Sequence, residues 1–314
     1  MTISGFSIAR NANTLYYPIA ASIRSVLPIC DEFIIAIGAG DPGDRTRAEV
    51  EAIGDPKIKI IDTHWPDFNP QQGHPFAQQT DLALAACQGD WCLYLQSDEV
   101  IHEKYLPLLR TACEQSTGDP AVEGFLLEFK HFWGDYDHYL ISHCWYPLEI
   151  RCVRNRIGVT AYRDAQSFRR DGRRLQVVQL AAEVFHYGWV RPPRVMQQKR
   201  QEFTAADQGT RAAAAQFDGE PHCFDYGSLQ KLPRFTETHP AVMRDWIARF
   251  NWKDQLDYQG RSPIRHKQDR WLARLHTTIE QKLLGGWPLF GFHNYKIVAG
   301  KKITCAPAPE KCDS

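Results

Sequence analysis

What the chain lacks bounds it first. No run of eighteen apolar residues occurs in its 314 residues, so no membrane-spanning helix is expected. The opening MTISGFSIARN has no basic segment leading into an apolar stretch, so no export leader is expected either, and the reading is a cytoplasmic protein. Neither sign of charge is in excess, with 37 acidic and 37 basic residues. No global field therefore exists for gripping nucleic acid, and any anion site has to be local. CxxC spacing is absent, and the nine cysteines are odd in number and scattered through apolar or aromatic segments. They read as reduced core residues rather than a disulfide frame or a zinc site, with only Cys305 and Cys312 locally paired. Repeats and low-complexity blocks are missing too. The length remains, and it suits one large domain with a smaller appendage.

What is present begins as alternating short apolar runs and helical patterns. Ile3 to Ala9 reads as a strand and Asn13 to Val26 as a helix, with Asn13 as N-cap and Pro28 as stop. Strand Glu32 to Ile37, helix Arg45 to Ile53 and strand Lys57 to Asp62 follow, giving βαβαβ. Strands joined by crossover helices run parallel and bind ligands at their carboxyl ends. A Pro-rich loop over Pro66 to His74 leads to a helix over Phe76 to Cys87 and a buried strand over Trp91 to Gln96. Glu123 to Lys130 and Val184 to Tyr187 read as further strands, and the aromatic run His131 to Pro147 as a pocket wall. From about Arg194 the pattern is mostly helices and polar loops, with amphipathic stretches at Arg244 to Phe250 and Arg270 to Leu284.

Two segments compete as the phosphate site. Gly38 to Gly43 matches GxGxxG between a strand and a helix, with Asp62 at the end of the next strand, the pattern of a dinucleotide fold. Against it, Pro42 deletes a backbone donor while Asp41 and Asp44 put negative charge in the cradle; a polar turn explains the same residues. The other segment is DWCLYLQSDEV, residues 90–100, where a buried strand runs into Gln96, Ser97, Asp98 and Glu99. Such a strand end can seat a divalent cation bridging two phosphates. It can equally be a helix start, with Asp98 as N-cap of a helix over Glu99 to Leu109.

Taken together, SGFSIARNAN, DEFIIAIGAGDPGDRT and LALAACQGDWCLYLQSDEV resemble the family 2 glycosyltransferases, which have the GT-A fold, and the resemblance runs from Ser4 to about Trp189. The third segment is the most specific, being similar to that family's helix, Gly-Asp-Trp turn and metal-binding strand end. YRDAQSFRRDGRRLQVVQLAAEVFHYGW resembles the closing stretch, where an acidic residue opens a helix, a glycine precedes a strand and a histidine ends the domain. The resemblance implies an α/β, GT-A-like fold: a mixed, mostly parallel sheet flanked by helices over residues 1–200, with a mainly helical C-terminal region over 201–314. It implies a metal-dependent, inverting glycosyltransferase that moves a sugar from a nucleotide-diphosphate donor to an acceptor hydroxyl. The implied cofactor is a divalent cation, Mn2+ or Mg2+.

Carried over residue by residue, the resemblance puts the general base at Asp164 and metal ligands at Asp98 and His186. Without it, Asp164 is an N-terminal helix charge and His186 a core histidine. Nucleotide-sugar contacts fall on Ile8, Ala9, Arg10, Asn11, Asp41, Gln79, Asp81, Gln96 and Ser97, and acceptor or phosphate contacts on Trp189 and Arg191. Gln96 is a departure, because the family usually has an aspartate there and an amide is a weaker ligand. Glu99 is a candidate replacement. Trp133, Trp145 and Tyr146 are stacking candidates for a sugar, and Arg194, Lys199 and Arg200 extend a basic run suited to clamping phosphate. The acceptor class stays open among glycan, lipid-linked and small-molecule hydroxyls; no nucleic-acid partner is expected. RHKQDRWLARLHTTIEQKLLGGWPLFGF combines cations with apolar residues, compatible either with packing on the catalytic domain or with resting on the inner face of an anionic membrane. Two other functions stay open: an NAD(P)-dependent oxidoreductase using the Gly38 to Gly43 turn, and a non-catalytic nucleotide-sugar-binding protein.

Overall fold

The computed structural model describes residues 1–66, 69, 74–286, 289 and 293–303. Most of the Pro-rich loop at 66–74, the WPLFGF run apart from Leu289, and the Cys305 and Cys312 pair lie outside the described residues.

Strands β1 (Ile3–Ala9), β2 (Glu32–Gly38) and β3 (Ile58–Thr63) are parallel, joined through helices α1 (Ile19–Val26) and α2 (Thr46–Glu51). Every residue of β1 and β2 is buried, as strands covered on both faces require. Helix α1 starts six residues later than the pattern predicts, at Ile19 rather than Asn13. Pro18 disfavours helical backbone in the residue before it, and Asn11 and Tyr16 have φ of 54° and 59°, so the chain turns before the helix begins. Helix α3 (Pro75–Ala85) then leads into β4 (Trp91–Tyr94), parallel to β1.

Beyond β4 the pairing turns mixed. Elements β5 (Glu99–Ile101), α4 (Leu106–Ser116), β6 (Gly124–Trp133), β7 (Tyr139–Leu140), β8 (Leu148–Arg154), β9 (Val159–Tyr162), β10 (Ser167–Arg170) and β11 (Arg173–Trp189) follow in order. The sheet runs β3-β2-β1-β4-β8-β6-β11-β10-β9, with β8 antiparallel to both neighbours and β11 parallel to β6. The result is an α/β architecture consistent with the expected GT-A-like fold, but its sheet is mixed rather than mostly parallel. Among the described residues five strand pairings are parallel and six antiparallel, because the strands beyond β4 return largely as hairpins and not through crossover helices.

The C-terminal region holds α5 (Pro193–Gln208), α6 (Thr210–Phe217), the four-residue α7 (Arg244–Ile247) and α8 (Trp271–Leu283) among loops. Helix α5 runs across position 200, and β12 (Tyr295–Ile303) returns to pair in parallel with β11. The C-terminal region is therefore tied into the sheet by a strand that sequence periodicity does not reveal. Apolar layers line both sheet faces, and a third, aromatic cluster built on Phe132, Trp133, Tyr187 and Trp252 joins the sheet to the C-terminal region.

Candidate active site

Two departures from the expected local structure build the site. Asp98 does not cap a helix; it is followed by strand β5, which pairs antiparallel with β11 so that Glu99 faces His186 in register. The Tyr187 N–H donates to the Asp98 carbonyl at 2.8 Å, and this pairing brings residue 98 against residue 186. Asp164 likewise opens no helix, since it sits in the turn between β9 and β10 with Arg163 and Ala165 at φ of 57° and 60°. The short hairpin needs a reversal there, and left-handed residues provide it.

Asp98, His186 and Asp164 line one cavity of about 520 Å³. Ile8, Ala9, Arg10, Gln96, Ser97 and Trp189 line it as well, as do Trp145, Tyr146, Lys199 and Arg200. A second cavity of about 330 Å³, walled by Glu128, Lys130 and Glu183, shares only Trp145 and Tyr146 with it. Of the two, only the first is lined by Asp98, His186 and Asp164.

Asp98 is 5% exposed and ringed by cations. Lys199 Nζ lies 3.2 Å from its Oδ2, and His186 Nε2 and Arg191 Nη2 each lie 3.8 Å away. Burial pushes the Asp98 carboxyl up, but Lys199, His186 and Arg191 together hold it at about 2. Burial and the neighbouring Arg191 bring the Lys199 ammonium down to about 8 against the pull of Asp98, so it remains charged at neutral pH. Arg191 is wholly buried behind Asp98, donating to the Leu15 carbonyl at 2.6 Å and lying over the Tyr17 ring, so it acts on the cavity only through Asp98.

The state of His186 follows from its neighbours. His131 and His186 pair across β6 and β11, with their Nδ1 atoms 2.8 Å apart, and His131 Nε2 lies 2.8 Å from the Tyr146 carbonyl. A carbonyl only accepts, so His131 carries its proton on Nε2. Burial lowers His131 to about 4 and His186 well below its usual value, so both rings are neutral. His131 Nδ1 is then a lone pair, His186 donates to it from Nδ1, and His186 Nε2 is left as a lone pair facing the Asp98 carboxylate. His186 Nε2 and Asp98 Oδ2, 3.8 Å apart, thus form a pair of electron donors suited to a cation, beside the Lys199 ammonium that already touches the carboxylate. Gly188 leaves the space beside the pair, because a Cβ there would lie 2.4 Å from His186 Nε2 and 2.7 Å from Asp98 Oδ2.

The donor set therefore fits a divalent cation with two protein ligands, the remaining positions being left to phosphate oxygens and water. Among the described residues, no three His, Cys, Asp or Glu side chains are grouped to hold a metal by themselves. Glu99, the candidate extra ligand, is wholly buried and held by Arg151 through bonds of 2.6 and 2.7 Å. It faces away from the ion site, as strand alternation after Asp98 dictates.

Several residues given ligand roles from sequence turn out to hold the scaffold. Asn11 is buried; its amide bonds Asp41 and Glu202, and its carbonyl accepts from the Asp41 N–H. Asp41 is half exposed and lies outside the cavity. Gln79 donates to the His64 carbonyl, and Asp81 accepts from the Ala161 N–H at 2.7 Å, tying α3 to β9. Trp133 is core, its indole donating to the Tyr226 carbonyl. At the glycine turn, Asp44 accepts from the Thr46 N–H and fills the start of α2, while Asp62 pairs with Arg47. The turn thus offers a pyrophosphate no free helix end. The sequence reading missed His131, Gly188, Arg151 and Tyr17; only the spacing of two strands not yet paired could have signalled the first.

No protein-family profile matches the chain, and no curated protein matches it. Among solved structures it is similar to glucosyl-3-phosphoglycerate synthase from Mycobacterium tuberculosis, in complex with Mn2+, uridine diphosphate and phosphoglyceric acid. That likeness has 19% identity and a TM-score of 0.30, over 42% of this chain and 43% of that one. It is similar to S. aureus TarS at 16% identity and a TM-score of 0.37, over 68% of this chain and 41% of that one. The 1–349 form of TarS gives 14% identity and a TM-score of 0.37 over 68% of each chain. The chain thus spans less than half of the length of the synthase and of the longer TarS chain.

Proposed function

We propose that the chain is an inverting glycosyltransferase that moves a sugar from a nucleotide-diphosphate donor to an acceptor hydroxyl. One observation carries this reading: Asp98, His186 and Asp164, from three distant stretches of sequence, line a single cavity where β1 and β4 end. Asp98 and His186 would hold a divalent cation, which when bound supplies positive charge to a departing diphosphate. Lys199 lines the same cavity and offers its ammonium to the phosphate oxygens. Arg10, Gln96 and Ser97 border the nucleotide side, and Trp145, Tyr146 and Trp189 present aromatic faces to a sugar.

Asp164 has the general-base role. It is half-buried, and no hydrogen bond among the described residues engages its carboxylate, so the group is available to an incoming hydroxyl. As the acceptor oxygen bonds the anomeric carbon, Asp164 takes its proton. The electron pair of the breaking sugar–oxygen bond leaves with the diphosphate. Attack from the opposite face inverts the anomeric centre in one displacement.

A thermal-shift panel combined with a donor screen tests the reading. Nucleoside diphosphates with Mn2+ or Mg2+ are expected to raise the melting temperature, and one nucleotide sugar to be consumed. Stabilisation by NAD or NADP without metal would favour the oxidoreductase instead. Diphosphate binding with neither transfer nor slow donor hydrolysis would leave a non-catalytic binder.

A further inference from the structure

The sequence favours packing on the catalytic domain for helix α8 over a membrane-surface role, and its side chains decide between the two. It meets the rest of the protein through a narrow side: Ala273 and Glu280 are buried, Thr277 Oγ1 accepts from the His143 N–H at 2.9 Å, and His143 Nδ1 lies 2.6 Å from Glu280. The other side is apolar and bare. Trp271 is 71% exposed, Leu272 49%, Leu275 47% and Leu283 75%. Positions 272, 275, 279 and 283 fall on one helical stripe, with Trp271 beside it. Six of the ten exposed large hydrophobic residues among those described lie between Ile264 and Leu284, so the exposure is a patch and not scatter.

Charge names the occupant. Residues 261–282 carry six Lys and Arg against two acidic residues, in a chain whose totals are equal. Of the two, Asp269 pairs with Arg274 at 3.0 Å and Glu280 is buried against His143. A second copy docked on the same stripe would bring two cationic faces together, which repel. An anionic lipid surface matches both the apolar stripe and the cations beside it. No helix among the described residues is long and apolar enough to cross a membrane, and the thirteen residues of α8 suit lying in the interface plane.

We propose that α8 docks the protein on an anionic lipid surface. Trp271, Leu272, Leu275 and Leu283 enter the boundary below the headgroups, while Arg270, Arg274 and Lys282 meet the phosphates. Through His143 and Thr277 the helix holds the segment that contributes Trp145 and Tyr146 to the candidate site, and Lys267, just before it, lines that cavity. The docking face and the cavity wall are thus one assembly. The proposal does not depend on the transferase reading.

The test is co-sedimentation of the full chain with vesicles of phosphatidylglycerol and phosphatidylcholine, beside pure phosphatidylcholine, at low and high salt, with light scattering in parallel. Binding is expected on the anionic vesicles alone and is expected to weaken with salt. The double variant Leu272→Gln, Leu275→Gln should lose roughly 10–100-fold in binding, and Arg270→Gln with Lys282→Gln should weaken binding and flatten the salt dependence. Unchanged melting temperatures show that these exposed changes leave the fold intact. No wild-type sedimentation, equal binding by the leucine variant, or a wild-type dimer that the leucine variant turns into monomer would each overturn the proposal.

Discussion

The two carboxylates of the site live in opposite surroundings. Asp98 is buried between two cations, Lys199 and Arg191, and the neutral His186 ring, at a position fixed by the pairing of β5 with β11. Asp164 stands half-buried on a hairpin turn between two left-handed residues. The contrast teaches a division of labour. A group that holds ions gains from rigid, pre-set partners, whereas a group that must take a proton from an incoming molecule has to keep its lone pairs free.

Asp98→Asn should strike hardest, because it removes both the charge proposed to hold the ion and the counter-charge of Lys199 and Arg191. Leaving buried cations unpaired costs about 3–5 kcal/mol, so denaturant midpoint and metal-dependent diphosphate binding should fall together. Loss of neither would show that the cations do not need this carboxylate. Asp164→Asn should separate the two carboxylates: transfer is expected to drop about 100- to 10,000-fold, with diphosphate affinity and melting temperature unchanged. Equal loss of binding would make the hairpin structural and erase the contrast.

A finer cut comes from His131→Phe, which keeps the ring packing and removes the acceptor that sets His186. Manganese affinity, read by electron paramagnetic resonance of the free ion, should fall about 10- to 100-fold. His131→Asn can accept from His186 again and should restore part of it, an outcome that packing alone does not predict. The smallest effect concerns stability against pH, away from the site. His239 accepts from the Tyr187 hydroxyl and lies 3.0 Å from the Tyr136 carbonyl, and burial holds its pKa at about 4. The folded state keeps this ring neutral while the unfolded state takes up a proton, so stability should fall as pH drops from about 6.5 to 4, by at most about 1.4 kcal/mol per pH unit. Denaturation of wild type and His239→Leu across that range should differ in slope by up to one proton. Identical slopes would remove His239 from the account.

The parallel half of the sheet was legible in the sequence. Its strands β1 to β4 are short apolar runs set apart by helices, and their bounds match the reading within a few residues. The mixed half was not. The segment after Asp98 looks like a helix start until β11, more than eighty residues on, offers it an edge. Glu99 reads as a candidate ligand and Arg151 carries no signal, yet they form a wholly buried pair, which no local pattern reveals. Asp98, His186 and Asp164 were found through the order of motifs, and the structure places them around one cavity. Asn11, Asp41, Gln79 and Asp81 were chosen by the same route, but their hydrogen bonds go to the scaffold. Segment order locates a region; only pairing decides which side chains face inward.

The last strand also has a consequence for how the chain is made. Strand β12 pairs with the stretch of β11 near Leu175, some 120 residues earlier. During synthesis the first four strands can assemble as they emerge, while that edge of β11 waits for those further residues to be made. An open, apolar edge exposed for so long is where a nascent chain would meet a chaperone, or a neighbouring copy of itself.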